Sequence, residues 1–301
     1  PGGNSFPDST SESISYLTIS TLGNSQDFGD TSAARSGNPG LSSRTRAIIG
    51  AGYGPSNQLE FVTIASKGDG TDFGDDIATS NRATGISNGT RGIFAGSSEI
   101  SPGNVIRYIT IDSLGDALDF GDLASSGSTG STSNSTRGVF NYGDVPNSIV
   151  TMNYTILSSS GGVQDFGDLS YVTRDGPFGA GDNTRGILGG SAGSASNMGG
   201  QPGRGVNFID FITFATTGDS NEFGSLTVAR RGLSACSSPT RTVWGGGYIK
   251  PSNHTITIDF VTTQTRGDAT KFGELTVSRG QMGAVSSSTR GIWFAGSIYG
   301  P

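Results

Sequence analysis

Two charged motifs recur along the 301-residue chain at intervals that could build a repeated site. Acids cluster at Asp69, Asp72, Asp75 and Asp76, and again at Asp116, Asp119 and Asp122. Converging carboxylates are what a hard cation such as Ca²⁺ takes as ligands. The spacing is not that of an EF-hand loop, and consecutive residues of a strand point to opposite faces. The acids therefore read as turn caps and bonds between neighbouring repeats, with Ca²⁺ held by Asp69, Asp72 and Asp75 as the open alternative. Lys271 stands in place of the acid in the fifth repeat, where a repeated metal site would fail. The second motif is Thr-Arg, which supplies Arg46, Arg91, Arg137, Arg185, Arg241 and Arg290. Pointed at one axis these would make a cationic ring. A guanidinium is a planar fork that makes several hydrogen bonds at once, so they are expected to bind acids or carbonyls of the same or the next repeat.

Catalytic constellations are thin. His254 is the only histidine and sits in Pro251-Ser252-Asn253-His254, which reads as a loop. Metal sites built on several histidines are excluded, and a Ser-His-Asp triad would have to run through this one residue. Cys236 is the only cysteine, so no disulfide forms within the chain. It falls where other repeats have Ser or Gly and reads as a small buried hydrophobe. Glycoside cleavage needs a carboxylate pair at a set separation, and no acid stands out from its repeat equivalents. Catalytic residues are therefore expected to be none.

Glycine makes up 50 residues of the chain and charged residues 15%. This composition fits neither collagen, which needs a Gly-X-Y period, nor ordinary disorder, which needs high charge. The net charge of −6 disfavours a nucleic-acid surface. No apolar run approaches the ~18 residues of a membrane helix. Pro1-Gly2-Gly3 has neither an initiator Met nor a signal-peptide pattern. It reads as a processed product or an ordered fragment of a longer chain.

The elements that must position these residues are set by an internal repeat. Phe28, Phe73, Phe120, Phe166, Phe223 and Phe272 each precede a Gly and lie 45, 47, 46, 57 and 49 residues apart. The Thr-Arg marker keeps step with them. Each repeat holds four strand signals, a to d, separated by Gly, Asn, Asp and Pro turn chemistry. In the second these are Thr84–Ser87, Arg91–Gly96, Ile106–Ile111 and Leu118–Leu123. Strand c alternates, as in Leu59-Phe61-Thr63, yet Val62 and Ile64 make its other face apolar too. A sheet apolar on both faces must be covered on both, which radially stacked blades provide. The chain begins near a strand c, at Ser15–Ile19, and ends after a strand b, at Gly291–Gly296. The two ends complement each other. The expected fold is all-β, one six-bladed propeller of four-stranded blades over 1–301. Its ring closes as the N-terminal strands c and d pair with the C-terminal a and b. The repeats run roughly 31–75, 76–122, 123–168, 169–224 and 225–273, with 274–301 plus 13–30 forming the sixth.

Gly-Gly after strand b (Gly189-Gly190, Gly245-Gly246), an aromatic in strand c and a fixed aromatic in strand d resemble the kelch type of propeller repeat. Strand d here carries Phe where kelch usually has Trp, and several repeats lack Gly-Gly. The fuller string Phe223-Gly224-Ser225-Leu226-Thr227-Val228-Ala229-Arg230, followed by Cys236-Ser237-Ser238-Pro239-Thr240-Arg241, looks like a repeat of marine bacteriophage proteins, cyanobacterial phages above all. The resemblance covers nearly the whole chain. It implies a non-enzymatic virion or extracellular module (tail, fibre or capsid-decorating) with no cofactor. Its partners would be other virion proteins or a host-surface glycan or protein. The alternative is a carbohydrate-binding or glycoside-cleaving extracellular propeller. The turn Thr216-Thr217-Gly218-Asp219 reverses the Gly and Asp order of a sialidase Asp-box.

Alternating strands put all b–c loops on one face, and these loops vary most. They carry Tyr53, Tyr142, a long insert from Ser191 to Val206, and Tyr248. Rigid scaffolds present binding residues on such loops. The three tyrosines are the candidate binding rings, for stacking on sugar or protein. The Asn-x-Thr sequons at Asn88, Asn134, Asn153 and Asn253 read as turns.

Overall fold

The computed structural model describes residues 8–53, 57–77, 81–97, 103–127, 129–142, 150–173, 177–193, 205–250 and 253–299. Among these there is no helix, and six four-stranded antiparallel sheets form a six-bladed β-propeller. In blade 2 the strands are a (Thr84–Ser87), b (Arg91–Ala95), c (Val105–Thr110) and d (Leu118–Asp122), paired in that order.

Blade 6 is built from both ends of the chain. Strand Gly283–Ser286 pairs with Arg290–Phe294, which pairs with Asp8–Thr18, which pairs with Gln26–Arg35. The first strand is longer than its repeat equivalents. Its Asp8–Thr10 segment pairs with a further strand, Ser297–Tyr299, so the closure extends past the four-stranded blade.

Six clusters of buried apolar side chains fill the junctions between blades. Leu59 and Phe73 of blade 1 pack with Phe94, Ile109 and Ile111 of blade 2. Phe120 of blade 2 packs with Phe140 and Leu157 of blade 3. This is why strand c is apolar on both faces. All six strand d phenylalanines are buried, at 2–3% exposure, and each meets the strand c aromatic of its own blade edge-on, as Tyr108 meets Phe120 at 6.1 Å.

The glycine after each Phe has a steric cause. Phe73 lies at a bulge in the pairing of strands c and d. The c–d turn of the next blade lands on Gly74: an added Cβ would lie 2.5 Å from the Gly115 carbonyl oxygen. Gly115 N–H donates to Phe73 O at 2.9 Å. The same bond links Gly68 to Phe28, Gly161 to Phe120, Gly218 to Phe166, Gly267 to Phe223 and Gly23 to Phe272. The repeated Phe-Gly is thus where one blade receives the next.

A buried polar layer runs through the same junctions at the strand c residue just before the aromatic. Arg35 pairs with Glu60, Arg107 Nε with Asp76 at 2.9 Å, and Arg230 Nη2 with Asp259 at 3.0 Å. In blade 6 that position is Ser15, and the arginine opposite, Arg279, bonds Ser15 Oγ at 2.6 Å and Ser13 O at 2.7 Å.

Candidate functional site

Six strands a converge on the axis, so small residues line it. A Cβ on Gly85 would meet the Gly40 carbonyl oxygen at 2.2 Å. Strand a ends in Ser42, Ser87, Ser133, Gly181, Ser237 and Ser286 in the six blades. Their hydroxyls link neighbouring blades around the channel. Ser42 donates to Ser286 O at 2.9 Å, Ser87 to Ser42 O at 2.5 Å, Ser133 to Ser87 O at 3.4 Å and Ser237 to Gly181 O at 2.6 Å. Gly181 supplies no hydroxyl, and there the ring of side-chain bonds is interrupted. The sequence carries this ring as a Ser three residues before Thr-Arg in five of six repeats.

Beyond these serines the channel widens into a bowl of about 850 Å³ on the face of the a–b turns. Toward the other end of the channel the described residues Gly37, Arg82, Phe178, Gly232 and Gln281 line a small cavity of about 40 Å³. All six a–b turns line the bowl. Each turn is locked by a side-chain cap at its first position: Ser43, Asn88, Asn134, Asp182, Ser238 or Ser287. Asn88 Oδ1 accepts from Thr90 N at 3.0 Å and Arg91 N at 2.8 Å. Ser238 Oγ accepts from Arg241 N at 3.2 Å. Asp182 Oδ1 accepts from Thr184 N, Thr184 Oγ1 and Arg185 N, and its other oxygen takes the Gln264 amide. Burial would raise this carboxyl. The N–H of Arg185, the Gln264 amide and both Thr184 donors outweigh it and hold the group below the usual carboxylate range.

The Thr-Arg arginines lie outside the bowl lining. Each stacks on the strand c aromatic of its own blade, as Arg91 does on Tyr108 at 4.6 Å and Arg137 on Tyr154 at 4.9 Å. Each also donates to a carbonyl of the next blade: Arg46 to Ile111 O, Arg91 to Leu157 O, Arg137 to Phe214 O, Arg185 to Gln264 O, Arg241 to Ile19 O and Arg290 to Ile64 O. Six charged forks staple six junctions.

The Gly-Asp turns do comparable work. Asp69 Oδ1 accepts from Asp30 N at 3.0 Å, and Asp116 Oδ1 from Asp75 N at 3.0 Å. Asp72 accepts instead from Gln58 Nε2 at 3.2 Å. The Asp69 and Asp72 carboxylates thus meet separate donors, and Asp75 takes part through its backbone N–H. Among the described residues no three His, Cys, Asp or Glu side chains could hold a metal ion together. Lys271 bonds Glu274 at 2.7 Å.

Two of the three candidate tyrosines are not surface rings. Tyr142 is 2% exposed. Its hydroxyl donates to Asn153 Oδ1 at 2.6 Å, and burial pushes its pKa up to about 12. Tyr248 is 7% exposed, bonded through its hydroxyl to Ser297 and packed against His254 at 4.5 Å. Both rings turn inward because buried polar partners, on the neighbouring strand or the chain terminus, satisfy their hydroxyls. Tyr53 alone is exposed, at 57%. Its neighbours Gly54, Pro55 and Ser56, together with Gly143 and Asp144, residues 194–204 of the insert, and Pro251 and Ser252, lie outside the described residues.

His254 lies in a strand rather than a loop: Asn253–His254 pairs with Tyr248–Lys250. Its Nε2 is 3.2 Å from Ser297 Oγ, an atom buried at 3% residue exposure and shared with Gly280 O. Asn153 is likewise no turn residue but sits buried in strand c. Cys236 is buried, and desolvation raises its thiol well above the usual range. Among the described residues no helix is long and apolar enough to cross a membrane.

No family model and no curated protein matches this chain.

Proposed function

We propose that the chain is a non-catalytic interaction module, a rigid disc that receives a polar ligand in the bowl on its a–b turn face. The observation that carries this is the lining itself. Hydroxyls, amides and turn backbone from all six blades converge on one cavity, whose volume is in the range of ligand sites. A lining of this chemistry suits a ligand that carries many hydroxyls, and a glycan is the class we favour. Cleavage of that glycan is a poorer fit. Asp182 is the sole carboxylate among the described bowl residues, and its oxygens are taken by hydrogen bonds. A glycosidase needs a second acid at a set distance.

The likeness of the repeats to the kelch type, and to those of marine phage proteins, supports a place on a virion appendage. The partner would then be a host-surface glycan or protein, or another protein of the particle. The bowl replaces the b–c loop face as the preferred contact, because Tyr142 and Tyr248 are buried.

A glycan array and host-cell binding assay, with and without Ca²⁺, tests the reading. Ser135→Trp and Ser288→Trp together would fill the bowl from two exposed positions. Binding lost in that variant and kept in Tyr53→Ala supports the bowl. The reverse pattern moves the contact to the b–c face. No binding by the native chain rejects glycan recognition.

A further inference from the structure

We infer, resting on the bowl reading, that the ligand is a glycan bearing carboxylate groups, received with an acid group against Arg44. The residue before each Thr-Arg occupies the same place in every a–b turn. It is Arg44, Gly89, Ser135, Asn183, Pro239 and Ser288 in blades 1 to 6, and all six line the bowl. Five blades fill this place with an uncharged residue, so the turn itself has no need of a cation. Arg44 is exposed and, among the described residues, forms no ion pair and no side-chain hydrogen bond.

Within the bowl lining the other charged residue, Asp182, does not neutralise it. The six Thr-Arg arginines are committed to aromatic rings and to carbonyls of the next blade. Asp182 belongs to blade 4, three blades round a ring of six, and therefore on the far side of the bowl from blade 1. Its carboxylate is occupied by three donors from its own turn and by Gln264. One side of the bowl thus offers an open positive charge, and the other a negative charge already satisfied. A guanidinium matches a carboxylate with two parallel hydrogen bonds. The remaining lining, such as Ser87, Asn88 and Ser287, matches hydroxyls. Of the residues that line the bowl, Arg44 is the one cation, so this is where the lining can receive an anion.

The test is calorimetric titration of the full chain with hexagalacturonate and with its fully methyl-esterified form. At low salt the acid form should bind about fivefold tighter, the scale of one exposed ion pair. In 300 mM NaCl the preference should shrink by screening. Arg44→Ser places the residue of blades 3 and 6 in blade 1, so the fold should be retained, which a melting curve checks. It should abolish the preference while binding of the ester persists, and Arg44→Lys should keep most of it. Ser288→Arg should raise the preference. Equal affinity for the two forms, or a preference unchanged in Arg44→Ser, overturns the inference and leaves the bowl reading standing. Hexa-aspartate binding as tightly as hexagalacturonate overturns the glycan assignment. No binding of either form, with neutral glycans bound on an array, also overturns it. No binding of any glycan removes the bowl reading as well.

Discussion

Asp259→Leu should be among the most costly single changes in the protein, because it strands a charge in the core. Arg230 Nη2 lies 3.0 Å from Asp259 Oδ2, and both side chains are fully buried. Burial pulls the Arg230 guanidinium below its ordinary pKa, with Asp259 opposing the shift. At 3.0 Å and an effective dielectric near 20, the Coulomb attraction is about 5.5 kcal/mol. Removing one partner of such a pair costs about 3–5 kcal/mol, since the other charge stays desolvated. Thr227 Oγ1 also loses its acceptor, Asp259 Oδ1, at 2.6 Å. Arg230→Met combined with Asp259→Leu should recover most of that loss, because a well-packed apolar pair can match a buried ion pair. Asp259→Ser should cost less than Asp259→Leu, since it copies the junction where Arg279 meets Ser15. Arg279 persists there with its pKa pulled by burial to about 10. Equilibrium urea unfolding reads these changes through Trp244 and Trp293, both fully buried, with circular dichroism as a second probe because Trp244 pairs with Asp259. An Asp259→Leu cost below about 1 kcal/mol, or a double variant no more stable than Asp259→Leu, would refute the assignment of this charge to the core.

Phe120→Ala should cost about 3–5 kcal/mol by leaving a cavity between blades 2 and 3; a near-neutral urea midpoint would place the ring outside the core. Deleting residues 1–35 removes strands c and d of blade 6, and a thermal melt should lose its cooperative transition, whereas unchanged melting would count against closure by both termini. Asp182→Asn should be nearly neutral at pH 7, because Asn88 and Asn134 cap the equivalent turns. Its effect should appear in acid. The folded Asp182 carboxyl is held below its unfolded value, so as pH falls the unfolded chain takes up the proton first and is favoured. The stability this group contributes is full above about pH 4 and is lost as pH drops through the folded value. The variant should show a shallower fall in urea midpoint between pH 5 and 2, and identical slopes would contradict the capping role.

The burial of all six phenylalanines and the pairing across the termini were legible because each depends on a pattern repeated in step. Phe73 and Phe120 must be core if their equivalents are, and a strand c at one end of the chain needs strands a and b from the other. The partners of individual polar groups were not legible. Asp69 caps a backbone N–H 39 residues away, and Arg46 reaches a carbonyl 65 residues on. No local pattern names the atom a side chain meets in the next blade. Tyr142 and Tyr248 fall in variable loops in the sequence, yet Asn153 and Ser297 hold their hydroxyls indoors.

The sequence by itself determined the repeat, the order of strands, the number of blades and the apolar junctions, because hydrophobic period and turn chemistry are local and recur six times. Only the tertiary structure decided which turns surround the axial bowl. The a–b and c–d turns emerge on the same face, and both are polar turns of Ser, Asn, Asp and Gly. Which set surrounds the axis follows from closure of the ring, which brings Ser42, Ser87 and Ser286 side by side although nearly the whole chain separates the first from the last.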